Sequence, residues 1–208
     1  MIYDAKRLKA ILILGPTGSG KTPLGNLMQK KGFNIQKCYH FDFGENLRLI
    51  ANSKKPDKRF STEEIILINK VLASGALLGN KHFYIAKKIL NRFIKRNLIG
   101  PNALIILNGL PRHIGQAKEV ALILNIKLVI NLSCAIKVLQ TRIRKNKGGD
   151  RTGRTDDNTA SVRNKIAIYN QRTAKLIDYY RSAGARIIRI PINENTLPED
   201  ILYILTDP

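Results

Sequence analysis

The chain has 208 residues, 44% of them apolar and 25% charged, enough for one domain with a sizeable core and unlike a disordered or fibrous composition. Its 36 Lys+Arg against 15 Asp+Glu leave a formal charge of +21, a field that attracts polyanions (nucleotides, nucleic acid, an anionic membrane surface) without naming one. The 2 cysteines lack metal-ligand spacing, no apolar run approaches the roughly 18 residues of a membrane span, and the N-terminal run is too short for a signal-peptide core, so a reducing, cytoplasmic setting is expected.

The first strand is expected over Ile11–Leu14. It runs straight into Gly15-Pro16-Thr17-Gly18-Ser19-Gly20-Lys21-Thr22 and then an amphipathic helix over Leu24–Lys31. Strand, glycine-rich turn and helix start is the context that the G-x-x-x-x-G-K-[ST] pattern requires. Glycines let the backbone curl so that amide N–H groups surround a phosphate, and the helix N-terminus adds positive potential. Lys21 then reaches the β- and γ-phosphates and the Thr22 hydroxyl ligates magnesium. On these residues the chain binds a nucleoside triphosphate.

Further strands are expected over Ile35–Cys38, Ala103–Leu107, Leu128–Asn131 and Arg186–Ile190, with helical patterns between them. That alternation implies a parallel sheet covered on both faces. Two stretches read as mobile inserts. One, Gly44 to about Lys95, is mostly helical; within it Ser61 and Glu64 form a capping box for a helix ending near Gly75, and a second helix runs from about Asn80 to Arg96. The other, Asn146 to Thr155, is polar, glycine-bearing and carries two arginines, which suits a closing lid. Asp156 or Asp157 then caps a long helix with Val162, Ile166, Tyr169, Thr173, Leu176 and Tyr180 as its core stripe.

The strand end and turn Ile105-Ile106-Leu107-Asn108-Gly109-Leu110-Pro111-Arg112, with Gln116 four positions after Arg112, carry a second motif. Together with the glycine-rich loop it resembles the signature of the adenylate kinase family. Gly44-Glu45-Asn46-Leu47-Arg48 is similar to that family's Gly-Asp-x-Leu-Arg segment, and Gly153-Arg154-Thr155-Asp156-Asp157 to its lid segment. Tyr169, Tyr179 and Tyr180 fall where its last long helix has tyrosines. The resemblance covers the chain from about Ala10 onward. It implies an α/β P-loop three-layer sandwich with a five-stranded parallel sheet, a helical acceptor-binding insert over 44–95 and a short lid over 146–155.

By the same resemblance the activity is reversible phosphoryl transfer from ATP, with magnesium, to a nucleoside monophosphate, AMP first among them. Gly15 to Thr22 and Arg142 hold the donor, and Lys21 grips its β- and γ-phosphates. Phe43, Gly44, Arg48, Gly109, Arg112 and Gln116 bind the acceptor: Arg48 and Arg112 grip its phosphate, Gln116 reads its base edge, and Gly75 to Leu78 line its pocket. Arg154 closes from the lid onto the transferring group, with Asp156 and Asp157 orienting the arginines, and Lys165 adds a cation. Convergent arginines suit this chemistry, because transfer consists of positioning and charge neutralisation and a guanidinium binds phosphate through two parallel hydrogen bonds. In so basic a chain, Arg48, Arg142 and Arg154 also read as exposed charges. His40, His82 and His113 read as structural.

Four positions depart from the family pattern. Asn108 stands where an aspartate normally helps to hold magnesium, while Thr22 replaces a glycine and offers a hydroxyl. Asp42, at the end of the second strand, is either a helix N-cap or the replacement negative charge. Phe43 replaces a small hydroxyl residue near the acceptor base, which leaves UMP, CMP or another small acceptor open. Lys165 replaces an arginine and so loses the planar fork. The short lid has no cysteines, so no structural zinc is expected, and the chain is expected to act as a monomer. The charge also fits a different class, a weakly active nucleotide-binding protein that holds RNA or a ribosomal partner.

Overall fold

The computed structural model describes residues 7–53, 57–152 and 159–206. Five strands, β1 (Leu8–Leu14), β2 (Cys38–Asp42), β3 (Leu104–Asn108), β4 (Leu124–Ser133) and β5 (Arg186–Pro191), form one parallel sheet in the order β2-β3-β1-β4-β5. Helices α1 (Lys21–Lys31), α2 (Phe43–Ala51), α3 (Thr62–Ser74), α4 (Phe83–Arg96), α5 (Ile114–Val120), α6 (Ile136–Arg144), α7 (Thr159–Ile168), α8 (Leu176–Ser182) and α9 (Pro198–Thr206) complete the described fold. The α/β class expected from the sequence is the class observed.

The run Ala10-Ile11-Leu12-Ile13-Leu14 is apolar throughout because both faces of the central strand are covered. Ala10, Leu12 and Leu14 enter a core with Ile105, Leu107, Val129 and residues of α2, α4, α5 and α8. Ile11 and Ile13 point to the opposite face, where they meet Leu104, Ile106, Ile130, Leu132, Leu24 and Met28 of α1, and Ile201 and Leu202 of α9. The period of two residues sends successive side chains to alternate layers. Each fully buried Leu or Ile contributes roughly 1.5–3 kcal/mol, so this strand anchors whatever is mounted at its end.

Parallel register decides what is mounted there. Ile13 lies beside Asn108, Leu14 beside Asn131, and Asp42 beside Asn108, so the C-terminal ends of β1, β2, β3 and β4 finish at one edge. The connection from β1 leads to β2 on one side of it and that from β3 leads to β4 on the other, and the crevice outside the strand ends at such a reversal is where open parallel sheets place ligands.

Three expectations need correction or refinement. The second strand is not Ile35–Cys38 but Cys38–Asp42. Asn34 and Ile35 take positive φ values of 47° and 67°, Phe33 and Gln36 pair across a tight turn, and Ile35 is fully exposed. An apolar residue at a turn tip and buried polar residues, His40 and Asp42, disguise the strand. The long helix expected over Val162 to Tyr180 is interrupted by a π-helical segment, Tyr169–Thr173, between α7 and α8. Its stripe is half-buried at Val162, Ile166 and Tyr169 and buried at Thr173, Leu176 and Tyr180. Within 44–95, α4 buries Ile85, Ala86, Ile89 and Leu90 in the same core as the strands, so this helix belongs to the sheet's own layer. The capping box at Ser61 and Glu64 is present, and α3 ends on Gly75 in the left-handed conformation.

Candidate active site

The glycine-rich loop leaves β1 at Gly15 and enters α1 at Lys21. A side chain at Gly15 would put a Cβ 2.6 Å from Ser19 Oγ and 2.9 Å from the Leu132 carbonyl, so the loop can turn this close to β4 only without one. Gly20 has φ 97° and stands as the left-handed N-cap of α1; glycine adopts that conformation without steric cost. The helix N-terminus therefore opens toward the crevice with backbone donors free of side-chain caps, the arrangement in which anions are stabilised.

Lys21 folds back along the loop, its Nζ donating to the carbonyls of Gly15 and Pro16 at 2.8 Å each. Removal from water, reinforced by the nearby Arg112 guanidinium and opposed in part by Asp42, lowers its pKa to about 7. The chain holds an ammonium group where its charge is poorly compensated, which favours any anion that enters. We predict that binding of a nucleoside triphosphate at pH 8 takes up protons, since a site with a pKa lowered to about 7 has lost charge there and phosphate oxygens restore it. Calorimetry in buffers of different ionisation enthalpy measures the uptake, and none at pH 8 would contradict the placement of Lys21. The same shift works against folding: the cost is full below about pH 7 and is relieved as pH rises toward the unperturbed value of 10.5.

One cleft gathers most of the residues expected from the sequence. Gly15, Thr17, Gly18, Gly20, Lys21 and Thr22 line it from the loop; Phe43, Gly44 and Arg48 from α2; Gly109 and Arg112 from the turn after β3; and Arg142 and Lys165 from α6 and α7. Pro16 and Ser19 lie behind this surface, Ser19 fully buried. Arg154, Asp156 and Asp157 lie outside the described residues.

Two expected contacts are otherwise occupied. Gln116 is buried: its amide oxygen accepts from the Arg112 backbone N–H at 2.8 Å and its amide nitrogen donates to the Leu78 carbonyl at 3.0 Å. It fixes the Arg112 turn to the segment after α3 and does not line the cleft. Arg142 is also buried. Its Nε donates to the Gly18 carbonyl at 3.2 Å, and its Nη1 to the carbonyls of Asn193 and Thr196 at 2.8 and 3.0 Å. It ties the glycine-rich loop to the segment between β5 and α9 while its remaining edge faces Gly20.

Thr173 accepts no such public role in the sequence, yet its hydroxyl donates to the Arg112 carbonyl at 2.9 Å. The Arg112 backbone is thus held from both sides. Arg151, in the stretch expected to form a lid, lines the cleft and approaches Thr17 Oγ1 at 3.4 Å. The only sequence signal for it was a polar glycine-bearing loop with two arginines. Asp42, Asn108 and Tyr169 line the cleft as well.

Asp42 is the N-cap of α2, one of its two expected readings, and it also meets Thr22 and Asn108. Oδ1 caps α2 by accepting from the Glu45 N–H at 2.9 Å, and Oδ2 accepts from the Thr22 hydroxyl at 2.6 Å and the Asn108 amide at 2.8 Å. His40 and His113 are buried and structural, His40 hydrogen-bonded to Asn26 Oδ1 and His113 capping α5. Among the described residues, no group of three or more His, Cys, Asp or Glu side chains could hold a metal, and no helix is long and apolar enough to cross a membrane.

Fold and site define a class: an α/β protein with a glycine-rich loop and a cationic cleft at the C-terminal edge of a parallel sheet. No protein-family model matches the chain. An adenylate kinase of Francisella tularensis subsp. novicida is 28% identical over 207 residues, covering 87% of this chain and 88% of the relative. An adenylate kinase of Francisella philomiragia is 27% identical over the same shares. The unliganded crystal structure of a sugar kinase from Janibacter sp. HTCC2649 superposes with a TM-score of 0.54 over 95% of this chain and 91% of that one, at 12% identity, a likeness of fold alone. The chain is similar to adenylate kinases over most of its length.

Proposed function

We propose that the chain is a nucleoside monophosphate kinase that moves the γ-phosphoryl group of ATP to a nucleoside monophosphate, with AMP the first acceptor to test. The observation that carries this reading is the convergence of Lys21, Arg48 and Arg112 on one cleft beside the glycine-rich loop. The relatives' names support a nucleotide kinase.

In this reading the loop amides and Lys21 hold the donor's phosphates, and Arg142 keeps the loop in place. Arg48 and Arg112 bind the acceptor phosphate in line with the donor. Lys165, and Arg154 from the lid, neutralise charge on the transferring group. Magnesium fits the donor set, since the Thr22 hydroxyl is a hard oxygen ligand directly after Lys21; when bound it spreads the charge of the β- and γ-phosphate oxygens. Closure of the lid and of the α3 side of the insert over both nucleotides would exclude water and so prevent wasteful hydrolysis. The chain works as a monomer in a reducing compartment, with Cys38 and Cys134 as free thiols.

A pyrimidine monophosphate is the second reading of the acceptor. Phe43 lines the cleft, and both ends of the Gln116 amide are committed to backbone partners. The test is ADP formation from ATP with AMP, UMP, CMP and GMP, alongside RNA binding measured across salt. Turnover with one monophosphate is expected, AMP first. Absence of turnover with all four, combined with RNA binding that falls steeply with salt, would favour the nucleic-acid reading instead.

A further inference from the structure

Three elements meet at the end of the sheet in a way that the motif assignments do not explain. Thr22 comes from the first turn of α1, Asp42 from the end of β2 and Asn108 from the end of β3. Thr22 Oγ1 donates to Asp42 Oδ2 at 2.6 Å, and the Asn108 amide donates to both, at 3.0 and 2.8 Å. Asp42 and Asn108 are buried and Thr22 is half-buried, and all three line the same cleft.

An amide at Asn108 offers no negative charge to a cation, and its nitrogen donates toward the site. Asp42 is the carboxylate that this cluster provides. Its two oxygens divide the work: Oδ1 is spent on the N-terminus of α2, and Oδ2 faces Thr22. The Thr22 hydroxyl gives its proton to Asp42 and accepts from Asn108, which leaves one lone pair on Oγ1. A hydroxyl oxygen and a carboxylate beside a phosphate-binding loop match the small, hard-oxygen donor set that magnesium takes from proteins, the rest being supplied by phosphates and water.

We infer that the anchor for the nucleotide's divalent cation lies on β2, at Asp42 with Thr22, and that Asn108 is a positioning residue which orients the Asp42 carboxylate. This rests on the donor-site reading above. Asp42→Asn separates charge from structure, because asparagine caps helices about as well as aspartate, so α2 is expected to stay intact.

The experiment is the affinity of the protein·ADP complex for Mn(II), read from the free Mn(II) signal by electron paramagnetic resonance, with ADP affinity measured separately in excess EDTA. In Asp42→Asn, Mn(II) affinity is expected to fall by about tenfold or more while ADP affinity in EDTA stays within about twofold. Asn108→Ser, which removes the orienting amide but keeps the carboxylate, is expected to show a smaller loss. Mn(II) affinity unchanged in Asp42→Asn overturns the inference and leaves the kinase reading standing. Should Asp42→Asn also lose ADP in EDTA, Asn108→Ser decides: Mn(II) affinity lowered with ADP affinity in EDTA retained supports the anchor, and unchanged Mn(II) affinity overturns it. If the unmodified chain binds no ADP at all, the donor-site reading falls and this inference falls with it.

Discussion

Lys21→Ala is expected to lower kcat/KM for ATP by about 10²- to 10⁴-fold, the loss that follows from removing two charge-assisted hydrogen bonds worth about 1.5–3 kcal/mol each. The Lys21 Nζ donates to the Gly15 and Pro16 carbonyls at 2.8 Å each. Those are partners that a phosphate can replace. The variant is expected to fold, since its lysine sits desolvated and near Arg112, where charge is disfavoured. Two readouts separate loss of function from loss of structure. Steady-state kinetics should show the fall, and calorimetry should show the proton uptake at pH 8 gone. Tight triphosphate binding with a normal rate would mean that the loop is not the donor site.

Arg112→Ala should lower both kcat and the affinity for the monophosphate, with kcat/KM for the acceptor down by about 10²- to 10³-fold. A contact to a phosphate that receives the transferred group acts in the transition state as well as in the ground state. The geometry makes this substitution clean. The Arg112 backbone N–H is held by Gln116 and its carbonyl by Thr173, so the turn after β3 stays where it is when the side chain is removed. Arg112→Lys should recover little of the loss, because a point charge lacks the planar fork. A second signature follows from its charge: without Arg112, the larger of the two nearby guanidinium effects on Lys21, the lysine regains part of its basicity, and the proton uptake on triphosphate binding at pH 8 becomes smaller. A raised acceptor KM with kcat intact would instead assign Arg112 to uniform binding, equal in the ground and transition states.

What the sequence shows and hides follows from how local each feature is. The glycine-rich loop is legible because strand, turn and helix start are contiguous, and the conformations at Gly18 and Gly20 leave little choice of residue. The capping box and the Gly75 terminus are equally local. Strand β2 was misplaced because its buried residues include His40 and Asp42, while Ile35 mimics a core residue at the tip of a turn. Arg142 reads as a donor ligand by the family resemblance, yet its Nη1 is taken by carbonyls at Asn193 and Thr196, some fifty residues further along the chain. Gln116 is similar: only the packed turn shows that both ends of its amide are engaged. The Thr22–Asp42–Asn108 cluster depends on the register of β2 against β3, which no local pattern specifies. Long-range backbone partners and strand register are therefore where the residue-by-residue reading stops.

Two nucleotides lying end to end in one cationic cleft are the core of this account. The direct measurement is calorimetric titration with a bisubstrate mimic, two nucleosides joined through five phosphates. The account predicts one mimic bound per chain, about a hundredfold or more tighter than ATP alone, because joining the two ligands makes the second binding step intramolecular. It also predicts that Lys21→Ala and Arg112→Ala each weaken the mimic. Binding no tighter than ATP, and indifferent to Arg112, would mean that the cleft holds a single nucleotide.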